Sequence, residues 1–284
     1  MTPTFLLVAP THYEVSYAIN PWMKPGTWSE DPSGHLAEAR TAFTALEQAL
    51  RAAGGTVETV EGAPGQPDMV FPANAGIVLD RKALVAAFRY PQRQGEEAPF
   101  RAIFEVLRER GLIDEVADLP DGVFQEGAGD CIWDRSRGLA WTGYGPRSSA
   151  AAPGVISKVF GIRTVPLELA TERFYHLDTC FCVLPGGEVL FYPPAFTAAG
   201  LEAIRAQVAP ELLLEAEDED AARFCVNAVA LDRTVVMAEA PPRLKERLAA
   251  KGYTVQEVGL APFILSGGGA YCMTLRLDLS TRSA

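Results

Sequence analysis

The chain has 284 residues, of which 48% are hydrophobic and 21% charged, a composition typical of a soluble globular protein. The formal net charge of -11 argues against a nucleic-acid partner, because phosphate neutralisation requires clustered lysine and arginine side chains. The first apolar run, residues 5–9, stops at Pro10 and is too short for a signal peptide or a membrane span. We therefore expect a cytoplasmic protein that binds neither nucleic acid nor membrane.

Short apolar runs alternate with helix-like stretches along the chain. The first half predicts strands at 5–9, 77–79, 83–88, 131–133 and 139–142 and helices at 36–53, 100–110 and 151–160. The second half predicts strands at 180–184, 189–192, 226–231, 234–238 and 254–258 and helices at 201–208 and 241–251. A unit of two strands, a helix and a strand recurs about every 50 to 60 residues, a period typical of radial repeat architectures.

The longest irregular stretch predicted from the sequence is 20–34, which is rich in proline and glycine. Its two tryptophans, Trp22 and Trp28, argue against disorder, and we interpret the stretch as a lid or pocket wall. The acidic run 215–220 is interpreted as a solvated surface turn and not as a metal site.

Five cysteines are scattered along the chain, at positions 131, 180, 182, 225 and 272. Their odd number and their spacing predict neither a disulfide framework nor a paired zinc site, and no other pattern requires a metal or an organic cofactor. Most of them fit small buried core residues. Cys272 differs because it follows a glycine-rich loop, Ser266-Gly267-Gly268-Gly269-Ala270-Tyr271. We expect such a thiol to be unshielded, so that a small electrophile could reach it once an imidazole keeps it ionised.

Three other segments, 67–76, 124–130 and 173–178, place polar residues where a core strand would not. Glu126 and Asp130 are flanked by glycines, which let the backbone approach another group closely, although an ordinary turn between strands fits this piece equally well. His176 is one of three histidines and, taken alone, is compatible with a core or surface histidine. Asp178 would share a strand face with it, and the pair could receive a cationic group.

These segments together carry a resemblance to a known superfamily. The motifs, in chain order, are Asp68-Met69-Val70-Phe71 followed by Asn74, Glu126-Gly127-Ala128-Gly129-Asp130, Gly145-Pro146-Arg147-Ser148, His176-Leu177-Asp178 and Cys272. In this order they resemble the motifs of the guanidine-modifying enzymes, which comprise arginine deiminases, dimethylarginine dimethylaminohydrolases, arginine dihydrolases and amidinotransferases. The resemblance implies an α/β fold, a five-bladed propeller (pentein) of pseudo-fivefold ββαβ units, with the active site in the central channel. It covers nearly the whole chain and so implies one catalytic domain over 1–284.

Within this superfamily the chain is most similar to the arginine dihydrolase group. The matching segments are 19–23, 71–76, 93–97 and 173–182. Asn74 stands where deiminases carry an aspartate. The asparagine removes one negative charge from the residues expected around the guanidinium group and keeps the hydrogen-bonding capacity. In the dihydrolase group an asparagine is expected there, and it is linked to a second hydrolytic round.

The resemblance also implies residue roles. Cys272 attacks the guanidinium carbon, His176 protonates the departing amine and then activates water, and Glu126 holds and polarises His176. Asp178 pairs with the guanidinium N–H groups. The other substrate contacts are assigned to Arg93 and Arg147 at the α-carboxylate, to Asp68 and Asn20 at the amino-acid end, and to Phe71 and Asn74 in the pocket.

The first interpretation is therefore hydrolysis of arginine, with ammonia and either ornithine or citrulline as products. A dimethylarginine dimethylaminohydrolase, which gives citrulline and dimethylamine, ranks second because methyl groups need room beside Asp178. An amidinotransferase ranks lower, since no feature of the sequence excludes water. A non-catalytic propeller binding protein is disfavoured by the Cys, His and Glu set and by the acidic charge. The expected partner is a small guanidino compound, arginine or methylated arginine, and a homo-oligomer stays open.

Overall fold

The computed structural model describes residues 2–282 and contains five three-stranded sheets within them. In every sheet the middle strand pairs antiparallel with one neighbour and parallel with the other. Helical segments lie in the chain between the middle strand and its parallel partner. Five repeats of this ββαβ unit confirm the predicted α/β propeller.

The elements follow one another along the chain as five blades. The strands are β1 (Thr4–Ala9), β2 (Thr56–Glu61), β3 (Gly76–Leu79), β4 (Lys82–Val85), β5 (Glu115–Ala117), β6 (Cys131–Asp134), β7 (Leu139–Tyr144), β8 (Arg163–Glu168), β9 (Phe181–Val183), β10 (Val189–Phe191), β11 (Leu213–Glu215), β12 (Val229–Leu231), β13 (Thr234–Met237), β14 (Thr254–Glu257) and β15 (Leu275–Arg276). The helices are α1 (Pro25–Glu30), α2 (Pro32–Ala52), α3 (Pro91–Gln94), α4 (Glu97–Glu109), α5 (Ala152–Phe160), α6 (Ala198–Gln207), α7 (Asp218–Ala222), α8 (Pro242–Ala250) and α9 (Ala261–Ile264). Blade 1 consists of β15, β1 and β2, and the later blades take the strands three at a time.

The longest helix, α2, begins where its capping residues lie. The side chain of Asp31 accepts a hydrogen bond from the backbone N–H of Gly34 at 3.0 Å, and Pro32 occupies the first helical turn, where its missing N–H is not needed. The residues that the helix buries are Ala39, Ala42, Phe43, Leu46, Ala49 and Leu50. The helix predicted over 36–53 is confirmed, with an earlier start that the cap explains.

Two local predictions were wrong. Residues 20–34 are not one irregular stretch, because α1 and α2 each start at a proline within it and only the part before Pro25 lacks a helix. The acidic run 215–220 is not simply a solvated turn. Asp220 is buried and accepts from the backbone N–H of Glu217 at 2.9 Å, which caps the start of α7.

Blade 1 is closed by both ends of the described chain. Strand β15 runs antiparallel to β1, with Leu275 opposite Leu6. Cys272 lies three residues before β15, so this closure brings the thiol to the ring of blades. Between residues 2 and 282 no helix is both long and apolar enough to cross a membrane.

Candidate active site

The polar side chains of the site come from the five segments that lead into the first strand of each blade. The residues at this position are Asn74 before β3, Glu126 before β6, Asp178 before β9, Asn227 before β12 and Cys272 before β15. Short 3₁₀ turns at 72–74, 127–130 and 177–179 shape three of these segments. Each blade thus contributes one of these side chains from the segment just before its first strand.

Cys272 lies between a hydrogen-bond acceptor and a donor. Its Sγ is 3.1 Å from Oδ2 of Asp178 and 3.1 Å from Nδ2 of Asn227. The thiol is 2% exposed, contrary to the expectation of an unshielded cysteine. The reason is that Gly268, which has no Cβ, lets the ring of Phe71 pack directly against the loop backbone.

His176 and Glu126 form a fully buried pair. Nε2 of His176 lies 2.8 Å from Oε2 of Glu126, and the same oxygen accepts from Nη1 of Arg147 at 3.1 Å. Burial opposes ionisation of Glu126, but Arg147 and His176 together outweigh it and hold the pKa of this carboxyl well below its usual range. Glu126 therefore remains a carboxylate that can fix the orientation of the imidazole.

Arg147 is stacked between two aromatic rings. Its Cζ lies 4.7 Å from the ring centroid of Tyr90 and 4.7 Å from that of Tyr175. Nη2 donates to the backbone oxygen of Ile19 at 3.1 Å, whereas Nε is buried without a hydrogen-bond partner. A buried guanidinium N–H without an acceptor is unfavourable, and a carboxylate is the acceptor that suits it best.

Asn74 connects His176 to Arg93. Nη1 of Arg93 donates to Oδ1 of Asn74 at 2.7 Å, and because a guanidinium only donates, the other side of the amide must be its NH₂ group. This Nδ2 lies 3.4 Å from Nδ1 of His176. Arg93 is itself held by a bidentate contact, since its Nε and Nη2 donate to the two oxygens of Glu96 at 2.7 and 2.8 Å.

Asp68 and Asn20 lie beside Ser266, at the start of the glycine-rich loop. Asp68 accepts from the hydroxyl of Tyr17 at 2.9 Å and from that of Ser266 at 3.1 Å. Nδ2 of Asn20 donates to the backbone oxygen of Ser266 at 3.2 Å. Nη2 of Arg93 also donates to the backbone oxygen of Asp68 at 3.1 Å, so hydrogen bonds link seven predicted site residues: Asn20, Asp68, Asn74, Arg93, Glu126, Arg147 and His176. Cys272 and Asp178 form a separate hydrogen-bonded pair, and Phe71 packs on the loop that precedes the thiol. We refer to these ten residues as the cluster.

Residues 19–24 form a cover segment over this cluster. The backbone N–H of Lys24 donates to the oxygen of Leu265 at 3.0 Å, and Nε1 of Trp22 donates to the oxygen of Arg173 at 2.6 Å. The indole ring also packs edge-on against Phe224, with centroids 4.9 Å apart. The first part of the stretch predicted to be a lid or pocket wall therefore lies against the site, whereas α1 lies beyond it.

Asp178 has an unusual environment for a carboxyl group. Its Oδ1 is buried without a hydrogen-bond partner. Burial raises the pKa of Asp178 to about 7, although hydrogen bonds from Cys272 and Asn227 oppose the shift. Burial and Asp178 in turn raise the pKa of the Cys272 thiol well above its usual value. A cation placed beside Asp178 would favour the carboxylate and lower the cost of a nearby thiolate.

Sequence reasoning missed three residues that hold this cluster together. Asn227 contacts the thiol, Glu96 fixes Arg93, and the hydroxyl of Tyr175 donates to the backbone oxygen of Gly267 at 2.5 Å. Asn227 could have been found from its place just before the strand pair 229–237, because motif residues also precede the first strand of the other blades. Glu96 and Tyr175 lie within segments already matched to the dihydrolase group.

Comparison with known proteins identifies the family. The family model described as N,N dimethylarginine dimethylhydrolase, eukaryotic, matches residues 14–279. The chain belongs to this family. Its predicted membership in the guanidine-modifying superfamily is thereby confirmed.

The relatives of this dimethylarginine dimethylhydrolase family member include an arginine dihydrolase and a dimethylarginine dimethylaminohydrolase. The bifunctional arginine dihydrolase/ornithine cyclodeaminase ArgZ of Synechocystis sp. is 41% identical over 272 residues, which cover 96% of this chain and 37% of ArgZ. The chain thus spans little more than a third of the length of ArgZ. The N(G),N(G)-dimethylarginine dimethylaminohydrolase of Mycobacterium tuberculosis is 33% identical over 276 residues, which cover 97% of this chain and 86% of that enzyme.

A solved structure of the N-terminal domain of ArgZ has nearly the same fold. It is a cysteine-to-serine variant bound to substrate, with a TM-score of 0.91, 39% identity, and coverage of 99% of this chain and 100% of that domain. A second structure of the domain, an asparagine-to-serine variant, is covalently bonded to a reaction intermediate and has a TM-score of 0.92.

Proposed function

We propose that this chain hydrolyses the guanidino group of arginine in the manner of an arginine dihydrolase, through a covalent amidino-thioether on Cys272. One observation carries the proposal. The thiol lies 3.1 Å from a carboxylate, Asp178, whose other oxygen is buried without a partner. A planar cation with several N–H donors would satisfy that oxygen and would place an electrophilic carbon beside the sulfur.

The other polar side chains of the cluster suit the amino-acid end of arginine. The partnerless Nε of Arg147 fits the α-carboxylate, and the buried Asp68 fits the α-ammonium group with Asn20 nearby. One N–H on Nη1 of Arg93 has no acceptor among the described residues, and we expect it to donate to the substrate α-carboxylate as well. Phe71 packs on the glycine-rich loop that precedes the thiol.

The first round is a substitution at the guanidinium carbon. Cys272 loses its proton to His176, and the thiolate attacks the carbon to form a C–S bond. His176, oriented by Glu126, returns the proton to one amino nitrogen, the C–N bond breaks, and ammonia leaves. Water then gives a proton to His176 and adds to the amidino-thioether carbon. The C–S bond breaks, the sulfur leaves as a thiolate, and the added hydroxyl loses its proton to solvent, which gives citrulline. His176 then returns its proton to the thiolate and restores Cys272.

A second round is assigned to Asn74. Citrulline carries a neutral ureido group, and its attack by Cys272 followed by hydrolysis yields ornithine, carbon dioxide and a second ammonia. Asn74 is connected to both His176 and Arg93 and is neutral, so it can contact the ureido group without adding a second carboxylate to the cradle.

A second candidate function is hydrolysis of asymmetric dimethylarginine. The matched family model and the Mycobacterium tuberculosis relative favour it. The tight contact between Asp178 and Cys272 favours bare N–H groups over methyl groups at this place. We rank arginine first for that reason. The proposed partner is a small guanidino compound, and we infer a cytoplasmic enzyme that needs no cofactor.

The class of reaction is tested by incubating the protein with L-arginine and measuring citrulline, ornithine and ammonia over time. Ornithine and ammonia are expected, with citrulline as a transient. Cys272→Ala should abolish all three, while Cys225→Ala, at a buried thiol outside the cluster, should retain activity. Ammonia release that persists in Cys272→Ala would remove the covalent mechanism.

The choice of substrate is tested by comparing kcat/KM for arginine and for asymmetric dimethylarginine under one condition. We expect arginine to be preferred. Release of dimethylamine at the higher kcat/KM would reverse the ranking and assign the chain the function of its family model.

A further inference from the structure

Asn227 uses all of its side-chain hydrogen-bonding capacity at the nucleophile. Its Oδ1 accepts from the backbone N–H of Tyr271 at 3.0 Å and from that of Cys272 at 3.2 Å. Its Nδ2 donates to the backbone oxygen of Asp178 at 3.0 Å and to Sγ of Cys272 at 3.1 Å. The side chain is fully buried, so water does not compete for these bonds.

The contacts fix which end of the amide faces the sulfur. Two backbone N–H groups can be accepted only by the oxygen, and the carbonyl of Asp178 can be bound only by the NH₂ group. Nδ2 is therefore a donor to Sγ. The sulfur has one donor, Asn227, and one acceptor, Asp178, at equal distances of 3.1 Å. Only the donor is favourable once the sulfur carries a negative charge.

The surrounding turn is built to hold this amide close to the loop. A Cβ on Gly269 would lie 2.8 Å from Oδ1 of Asn227, so only glycine allows the approach. Phe224, three residues earlier, has a φ of 62°, a region that a bulky side chain rarely adopts. Such strain persists where neighbouring contacts enforce it, and the ring of Phe224 is held against Trp22.

We propose that Asn227 is a further catalytic residue, whose amide N–H stabilises the thiolate of Cys272 while its oxygen fixes the backbone that carries it. This inference rests on the proposed function, because it assigns a group to the same nucleophile. Asn227 lies in the segment before the first strand of its blade, and the same segments of the other four blades contribute Asn74, Glu126, Asp178 and Cys272. It offsets the repulsion that Asp178 exerts on the sulfur anion.

The role follows the sulfur through the reaction. When the proton of Cys272 passes to His176, the N–H of Asn227 remains on the sulfur and shares its charge. The hydrogen bond from Asn227 to the sulfur weakens when the thioether forms, because the sulfur no longer carries a negative charge. It strengthens again when the C–S bond breaks and the thiolate leaves. Asn227 neither gains nor loses a proton in any step.

The test is the pH dependence of Cys272 alkylation by iodoacetamide, which needs no substrate. The modified peptide is quantified by mass spectrometry. Asn227→Asp keeps the two backbone acceptor contacts but replaces the donor by an oxygen. We expect its alkylation midpoint to rise by about one pH unit or more and its kcat to fall by about a hundredfold, with KM changed less than about threefold. Asn227→Ala removes the donor without adding charge and should shift the midpoint in the same direction by less.

Two controls separate this role from general loosening of the fold. Asp178→Asn removes the negative charge on the other side of the sulfur and should move the midpoint down, opposite to Asn227→Asp. The peptide that carries Cys180 and Cys182, both buried and outside these contacts, should stay unmodified in every variant. Modification of that peptide in step with Cys272 would mean that the variants merely unfold, and the inference would be wrong.

The result also distinguishes this inference from the proposed function. Arginine turnover with unchanged alkylation midpoints in both Asn227 variants would overturn the role of Asn227 alone. Shifted midpoints in a protein that does not consume arginine would support the role and overturn the proposed substrate.

Discussion

At the scale of single residues, the site depends on how one amide is oriented. Arg93 is held by Glu96 and donates to Oδ1 of Asn74, so the NH₂ group of Asn74 has to face Nδ1 of His176. This leaves Nδ1 as an acceptor, and Nε2 donates to Glu126. An aspartate at position 74 would present an oxygen instead and would favour a proton on Nδ1.

We therefore expect Asn74→Asp to shift the products from ornithine toward citrulline. A protonated Nδ1 can still give a proton to the nitrogen that leaves as ammonia in the first round. A neutral ureido group, in contrast, is not bound more tightly by an added carboxylate. The ratio of ornithine to citrulline should fall at least about tenfold, as expected for a changed proton-transfer partner. Amino-acid analysis of a time course measures it. Asp68→Asn is the control, since it should weaken arginine binding without changing this ratio. An unchanged ratio in Asn74→Asp would exclude Asn74 as the determinant.

The raised pKa of Asp178 predicts that arginine binds more tightly as the pH rises. Below a pH of about 7 the carboxyl holds a proton that it must release before it can pair with a guanidinium. In Cys272→Ala, which binds without turnover, affinity should rise by up to about tenfold per unit of pH and level off above the pKa of Asp178. Titration calorimetry in two buffers of different ionisation enthalpy would detect the released proton. A pH-independent affinity, or the same slope in Asp178→Asn, would contradict the assignment.

At the scale of elements, the sequence predicted the strong elements and missed the weak ones. The helix α2 was predicted over 36–53 and the strands β9 and β10 at 180–184 and 189–192, and these predictions were confirmed. The third strands β2, β5, β8 and β11 were missed, because a large share of their residues is exposed or half-buried and the alternation is short. The segments that form the site were found from their misplaced polar residues and from their motifs, because 3₁₀ turns have no periodic signal.

The cover segment should control access of the substrate to the thiol. Trp22→Ala removes the ring contact with Phe224, the hydrogen bond to Arg173 and the cation–π contact at 4.2 Å. We expect KM for arginine to rise about tenfold and kcat to change less, because truncating a well-packed tryptophan costs binding energy of this order. Steady-state kinetics measure both. Lys24→Ala, an exposed residue of the same segment, should leave both constants unchanged, and an equal effect of the two substitutions would argue against this role.

At the scale of the whole molecule, the ordered motifs predict the propeller and its central site. They do not predict that the thiol is buried. No pattern in the sequence shows that Phe71 fills the space beside Gly268 or that Asn227 contacts the thiol. Those contacts depend on packing between blades that are distant in the chain. The same dependence means that ring closure by β15 should contribute strongly to stability.

Leu275→Ala tests that contribution. Leu275 is 1% exposed and pairs with Leu6 across the closure. Its truncation should lower the free energy of unfolding by about 2 to 5 kcal/mol, the usual cost of removing a buried leucine side chain. Urea denaturation followed by circular dichroism gives this value. Val106→Ala, at a 51% exposed position, should cost less than about 0.5 kcal/mol. Equal costs at the two positions would mean that closure of blade 1 adds little.

The order of the blades along the chain has a consequence for synthesis. Cys272, the proposed nucleophile, precedes β15 of blade 1. The ribosome therefore adds it after the strands of the four other blades, although β1 and β2 of the same blade are made first. A nascent chain can already hold the imidazole and its glutamate while it still lacks the sulfur. On the proposed mechanism, turnover therefore begins only when β15 docks beside β1, and a chain interrupted before codon 272 lacks the proposed nucleophile.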